Sequence, residues 1–207
     1  MTRETPRPFF QGRAVNPAVR SIRMKGTIAI PGSIAGAPAF PQNRMHPSPD
    51  IRPATREDAS VLLGLIRALA DYEKLAHMVS ADEATLEREL FSPGSPAEAL
   101  VCRVGGEAVG MAIYFHNFST FLGRKGLYLE DLFVKPEYRG RGYGKALLLA
   151  TARIAHARKC GRFEWMVLDW NTPSIRFYES LGAVRMDEWR LFRVTGEALE
   201  KLAGMQD

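Results

Sequence analysis

Between residues 51 and 207 the chain switches repeatedly between two hydrophobic periods, and the changeovers mark its elements. Arg52-Pro53-Ala54-Thr55 reads as a short strand ending at an N-cap, because Thr55 and Asp58 stand at the spacing of a capping box. Val61, Leu62, Leu65, Ile66 and Leu69 recur at helical spacing and predict one buried face of a helix reaching about Tyr72. Ser80 with Glu83 repeats the capping pattern and opens a second helix through Leu90, stopped by Pro93-Gly94-Ser95-Pro96. Alternating and β-branched residues follow at 99–104 and 109–118, flanking the hairpin signal Gly105-Gly106-Glu107. A third run, 127–134, is apolar except for Glu130 and Asp131, and Pro136 closes it. A glycine-rich turn then leads into a helix to about Lys159, and a strand spans 163–168. Thr172-Pro173 starts a helix that ends at Gly182, before a strand over 189–194 and a short helix over 197–202. The order predicts one mixed α/β domain over residues 51–207, without internal repeats.

Composition changes the picture only at the N-terminus. With 46% hydrophobic and 25% charged residues, the 207-residue chain is ordinary for a globular protein. Eight of its thirteen prolines precede residue 51, so residues 1–50 read as a disordered extension, or as sequence upstream of a true start at Met24 or Met45. Residues 27–39 loosely imitate an export signal, but proline and glycine interrupt the apolar centre. Residues 1–50 hold seven Lys/Arg against two Asp/Glu, whereas residues 51–207 hold twenty-one of each. The basic balance therefore belongs to the extension, and it gives the folded part no reason to bind nucleic acid or an anionic membrane. No window of eighteen apolar residues exists, so no membrane span is expected. Two isolated cysteines and four scattered histidines make neither a disulfide framework nor a metal-ligand spacing. The expectations are no metal and a cytoplasmic location.

The chemistry gathers in three places. Arg139-Gly140-Arg141-Gly142-Tyr143-Gly144-Lys145 lies between a strand and a helix. Its glycines permit close backbone approach, and helix-start amides with Arg139, Arg141 and Lys145 suit a pyrophosphate. The spacing fits neither a P-loop nor a dinucleotide fingerprint. A plain glycine turn with solvated arginines remains the other reading. Glu130 and Asp131 interrupt an apolar strand, where a buried unpaired charge costs several kcal/mol, so at least one should meet a cleft, a cation or water. A carboxylate there can take a proton from an ammonium; structural pairing with arginine is the alternative. Asn171 stands at a strand-to-helix junction and Tyr178 two turns beyond it. A phenol with a pKa near ~10 can protonate a departing thiolate, or can simply be core.

Leu129-Glu-Asp-Leu-Phe-Val134, Tyr138 to Gly144, Asn171-Thr-Pro-Ser-Ile-Arg-Phe-Tyr178 and Leu181-Gly-Ala183 together resemble the acetyl-CoA-dependent N-acetyltransferases of the GNAT superfamily. Within it the sequence is most similar to the spermidine/spermine and thialysine enzymes. Ile51-Arg-Pro-Ala-Thr55, Leu69-Ala-Asp-Tyr-Glu73 and Trp189-Arg-Leu-Phe192 extend the likeness across nearly all of residues 51–207. The resemblance implies a bent mixed sheet flanked by helices, with two neighbouring central strands splayed to admit acetyl-CoA. It implies that Leu132, Phe133 and Val134 meet the pantetheine arm, that residues 139–145 hold the pyrophosphate, and that Asn171, Thr172, Pro173 and Ser174 line the coenzyme channel. It makes Tyr178 the general acid and Glu130 the general base, with Asp131 helping to hold the substrate ammonium. Tyr72, Glu73, Glu164, Trp165, Met166 and Asp187 match positions facing the amine. It also implies a homodimer and direct transfer to a primary amine of a small molecule, either a diamine or polyamine or a thialysine-like amino acid.

Three departures bear on the acceptor. Lys74-Leu75-Ala76-His77 stands where the polyamine enzymes carry acids, Phe121 replaces a tryptophan, and about three residues are missing between Gly182 and Trp189. These favour a small amine. Two other readings keep part of the site: an acetyltransferase of protein N-termini or lysines, and a non-catalytic coenzyme-binding or tail-driven nucleic-acid module.

Overall fold

The structure, a computed structural model, describes residues 46–205; the expectations for residues 1–45 lie outside the described residues. Five strands form one open sheet in sequence order: β1 (Asp50–Pro53), β2 (Ala97–Val104), β3 (Glu107–Ser119), β4 (Arg124–Val134) and β5 (Phe163–Trp165). The first four are joined antiparallel, and β5 lies parallel to β4. Helices α1 (Ala59–Tyr72), α2 (Glu83–Phe91), α3 (Tyr143–Ala157), α4 (Thr172–Ser180) and α5 (Gly196–Ala203) complete the order. The expected mixed sheet with flanking helices is therefore present.

Both faces of the sheet are covered, which explains why its strands read as nearly continuous apolar runs. In β2, Leu100 and Cys102 enter the core beneath α3, whereas Ala99 and Val101 enter the core beneath α1. The strand period of two thus serves two separate cores. Gly110 on β3 fits a further constraint: a β-carbon there would stand 2.6 Å from the Phe133 carbonyl oxygen and 3.2 Å from Leu147. The β4 backbone leaves no room for a side chain there, and α3 closes over the same spot.

Asp58 joins the first strand pair to the start of α1. Its side chain is buried; Arg52 donates to it at 2.7 Å, Arg103 at 3.0 Å and the Thr55 amide at 2.9 Å. These bonds, that of Arg52 foremost, hold the Asp58 carboxyl below the usual carboxylate range despite burial. The capping box expected at Thr55 and Asp58 is formed.

Strand β1 lies two residues earlier than expected and β4 begins three residues earlier, and three further differences have a local cause. Helix α2 is capped by Asp82, which accepts from the Thr85 amide at 2.8 Å; Ser80 lies outside the helix, because Asp82 stands at the N-cap spacing from Thr85. Strand β5 stops at Trp165 instead of Leu168. Residues 189–194 form no strand: among the described residues no strand pairs with them, and alternation alone does not supply a hydrogen-bonding partner. Trp189, Leu191 and Phe192 are exposed as a result.

Asp58→Ala is expected to lower the unfolding free energy in urea by about 3 kcal/mol, because two guanidiniums lose a buried partner. Since the folded carboxyl titrates below its unfolded value, its contribution exists above about pH 4 and fades on acidification. The gap between parent and variant should therefore narrow as pH falls below about 4.

Candidate active site

A bulge in β4 builds the site. Ile113 and Tyr114 on β3 pair with Asp131 and Leu129, so Glu130 is an additional residue with no partner opposite it. The extra residue inverts the frame of the strand. Before it, Leu127 and Leu129 face α3; after it, Leu132 and Val134 face α3, while Phe133 faces α1. Asp131, two residues before Phe133, thus turns toward the α1 side. There Glu73, the residue closing α1, acts electrostatically on it.

The bulge coincides with the end of pairing to β5. Only Leu127, Tyr128 and Leu129 pair with that strand, so β4 runs on from Glu130 to Val134 with one edge free. The gap opens a cavity of about 640 Å³. Of the residues expected to meet the coenzyme, Leu132, Phe133, Val134, Arg139, Gly140, Gly142, Tyr143, Gly144, Lys145, Asn171, Pro173, Ser174 and Tyr178 line it. Arg141 and Thr172 do not: Arg141 donates to the Glu137 carbonyl at 2.8 Å and lies over the Tyr138 ring. Of the residues expected to face the amine, Tyr72, Glu73, Glu130, Asp131, Trp165 and Met166 line the same cavity. Glu164 is instead taken up by Arg162 and Asn117, and Asp187 is exposed and paired with Arg185. Leu69, Leu129, Val167, Leu168 and Phe177 complete the lining. Sequence reasoning passed over these because apolar periodicity marks core and cavity wall alike.

At one end of the cavity the backbone is shaped for an anion. Gly140 and Gly142 have φ of 73° and 83°, values that residues with a side chain rarely adopt. Gly142 is the N-cap of α3, so the first amides of that helix face outward with the positive end of its dipole. Lys145, in the first turn, adds a full charge. A helix start of this kind, with a lysine in its first turn, is chemically suited to an anion. Arg139 has another posture: its Nε donates to the Val134 carbonyl at 2.9 Å, and its guanidinium lies 4.1 Å from the centre of the Tyr72 ring.

The opposite end is acidic. Burial, with Glu130 and Glu73 nearby, pushes Asp131 up to about 6. Burial also raises Glu73. None of Glu73, Glu130 and Asp131 has a salt-bridge partner among the described residues. On α4, Tyr178 packs edge-on against Trp165 with ring centres 5.1 Å apart, and burial raises its phenol above the ordinary value. Its hydroxyl therefore carries a proton at neutral pH. Asn171 caps α4 by accepting from the Ser174 amide at 3.4 Å, which fixes the channel wall.

An anion cradle, a parted strand pair and an acidic recess thus share one cavity. The description matching residues 57–183 is that of an acetyltransferase (GNAT) family. The chain belongs to this GNAT family. It is 38% identical over 165 residues to the thialysine N-epsilon-acetyltransferase of Sus scrofa, covering 74% of this chain and 96% of that one. It is 40% identical over 126 residues to L-ornithine N5-acetyltransferase NATA1 of Arabidopsis thaliana, covering 61% and 52% respectively. An integron cassette protein of V. cholerae matches the fold with a TM-score of 0.66 at 28% identity, covering 76% of this chain and 99% of that one. The GNAT resemblance carried by the sequence motifs is therefore correct. Among the described residues, no helix is long and apolar enough to cross a membrane, and no group of His, Cys, Asp and Glu is gathered for a metal ion.

The ionised form of Asp131 is disfavoured in the fold, so its cost is fully present above about pH 6 and disappears below about 4, where the unfolded carboxyl also protonates. Asp131→Asn is expected to stabilise the ligand-free protein by about 3 kcal/mol at pH 8 and to leave stability nearly unchanged at pH 4. Urea unfolding at the two pH values measures the difference.

Proposed function

We propose that this GNAT chain transfers the acetyl group of acetyl-CoA to a primary amine of a small molecule, a short diamine or polyamine or a thialysine-like amino acid. The observation carrying this reading is the junction of opposite electrostatics along one cavity, with a helix-start anion cradle at one end and unpaired carboxylates at the other. The GNAT relatives named above act on thialysine and ornithine, which agrees with a small aminated acceptor.

Bound acetyl-CoA supplies an acetyl thioester that a neutral amine attacks. The Gly140–Lys145 turn holds the phosphates, and the free edge of β4 from Leu132 to Val134 offers backbone groups to the pantetheine arm. Asn171, Pro173 and Ser174 form the facing wall. Asp131 attracts the ammonium, and Glu130 takes its proton through water, leaving the nitrogen lone pair for the carbonyl carbon. As the carbon–nitrogen bond forms and the carbon–sulfur bond breaks, Tyr178 delivers its proton to the sulfur, and the extra proton on the acylated nitrogen leaves through water and restores the phenol. Its raised pKa keeps that proton available. The transfer is direct and uses no covalent enzyme intermediate.

Three broader assignments belong to the same reading. Residues 51–207 constitute the catalytic domain and residues 1–50 an extension outside it. The protein acts as a homodimer, supported by the exposure of Val184 (82%) and Phe192 (89%), a degree of apolar exposure that a second copy would remove. The compartment is the cytoplasm, in keeping with two free thiols, Cys102 and Cys160.

A thiol-release assay with acetyl-CoA across 1,5-diaminopentane, spermidine, thialysine, lysine and ornithine tests the proposal; absence of amine-dependent thiol from every member overturns it. Tyr178→Phe is expected to reduce kcat about a hundredfold while leaving the Kd for acetyl-CoA within twofold. Glu130→Gln should move the rate profile to higher pH, where more of the amine is already neutral. Sizing chromatography decides the dimer.

A further inference from the structure

Three side chains from three separate elements meet at the rim of the cavity. Tyr72 ends α1, Arg139 begins the anion-binding turn, and Trp170 lies in the loop before α4. The Arg139 guanidinium lies over Tyr72 at 4.1 Å, and the Tyr72 and Trp170 rings are 6.0 Å apart at an angle of 54°. Tyr72 is 36% exposed and Trp170 52% exposed, so this is a surface assembly rather than core packing. It joins the lip that holds phosphate to the lip that faces the amine.

The Arg139 posture is informative in two respects. Its planar cation covers the electron-rich face of a ring that stands one residue from Glu73, inside the acidic recess; that face is suited to any cation. Its other anchor, the Val134 carbonyl, belongs to the β4 edge that the acetyl-transfer reading assigns to the pantetheine arm. A coenzyme seated in the turn therefore competes for both ends of Arg139: its phosphates attract the guanidinium, and its arm requires the carbonyl. Departure of Arg139 uncovers the Tyr72 ring.

We propose that the Tyr72 ring is a cation station occupied in turn by Arg139 and by an ammonium of the amine acceptor, and that coenzyme phosphate opens the station by drawing Arg139 away. The inference rests on the acetyl-transfer reading and adds to it a residue pair that couples the two binding events. An acceptor meeting the empty protein finds the ring covered. An acceptor meeting the coenzyme complex finds ring and carboxylates together. By linkage the acceptor must then strengthen coenzyme binding by the same factor.

Calorimetry on the full chain tests this with thialysine and 1,5-diaminopentane as probes, which share a primary ammonium on a short chain. Each is titrated with and without saturating CoA, the non-reactive product form. The parent should bind the turned-over amine at least fivefold more tightly when CoA is present. Arg139→Gln should bind it with the same affinity in both conditions, because nothing covers the ring. Tyr72→Phe keeps the ring face and should retain the coupling. Tyr72→Leu should weaken amine binding in the CoA complex about five- to thirtyfold, the range of a partly desolvated cation–ring contact. Amine affinity in the parent that ignores CoA overturns the proposal, as does coupling that survives in Arg139→Gln or amine affinity unchanged in Tyr72→Leu. Failure of the parent to bind CoA or release thiol is a different result and overturns the acetyl-transfer reading itself.

Discussion

The site depends on β4 losing a neighbour. Over Leu127–Leu129 the strand is paired on both sides, Glu130 bulges out unpaired, and from Asp131 onward the strand is paired only to β3. A strand edge left open inside a protein is ordinarily a liability, because its amides and carbonyls lack partners. Here it opens onto a cavity whose opposite wall is α4 and the loop before it. The fold tolerates the open edge because the remaining surface of β4 is held firmly: α3 covers one face and α1 the other. Part of the unmet demand is answered by Arg139, which donates to the Val134 carbonyl; the rest of the edge faces the cavity.

Around that gap the charge is sorted by element. The cationic end is made largely of backbone, through a helix start and two glycines in the left-handed region, reinforced by Lys145. The anionic end is made of side chains, one contributed by the end of α1 and two by the bulge. Sorting of this kind needs no net charge, and residues 51–207 have none. It sets positive and negative potential side by side in one cavity while leaving the remaining surface electrically mixed. The cost falls on Asp131, whose ionisation is disfavoured until a counter-charge arrives.

Much of the fold was legible because several signals agreed. The helical spacing of Val61 to Leu69, the Thr55–Asp58 box and the Gly105-Gly106 hairpin each specify an element through local chemistry, and all three form. The glycine turn and the Asn171 cap were legible for the same reason. The frame of β4 was less so. Alternation places Glu130 and Asp131 on opposite faces of an unbroken strand, whereas the bulge resets the alternation between them; a bulge depends on the register of the neighbouring strand and leaves no local mark. Asp187 and Glu164 illustrate a second limit. Both lie where the family likeness puts acceptor contacts, yet nearby arginines take up both carboxylates, and only three-dimensional proximity reveals that competition. The strand expected at 189–194 failed similarly, since its pattern describes what the segment offers and not whether an edge is available to receive it.

The two thiols differ in a way that has experimental value. Cys102 is buried within β2, and its enclosure pushes the thiol up to about 11, so it is almost wholly protonated and screened under ordinary conditions. Cys160 sits partly open beyond the end of α3. A chromogenic disulfide reagent should thus register the second group and pass over the first for as long as β2 keeps its place. Titration of sulfhydryls becomes an integrity gauge for each preparation: one equivalent marks an intact sheet, and a second marks its loss. The same stoichiometry sets the background that must be subtracted whenever released coenzyme is quantified with such a dye.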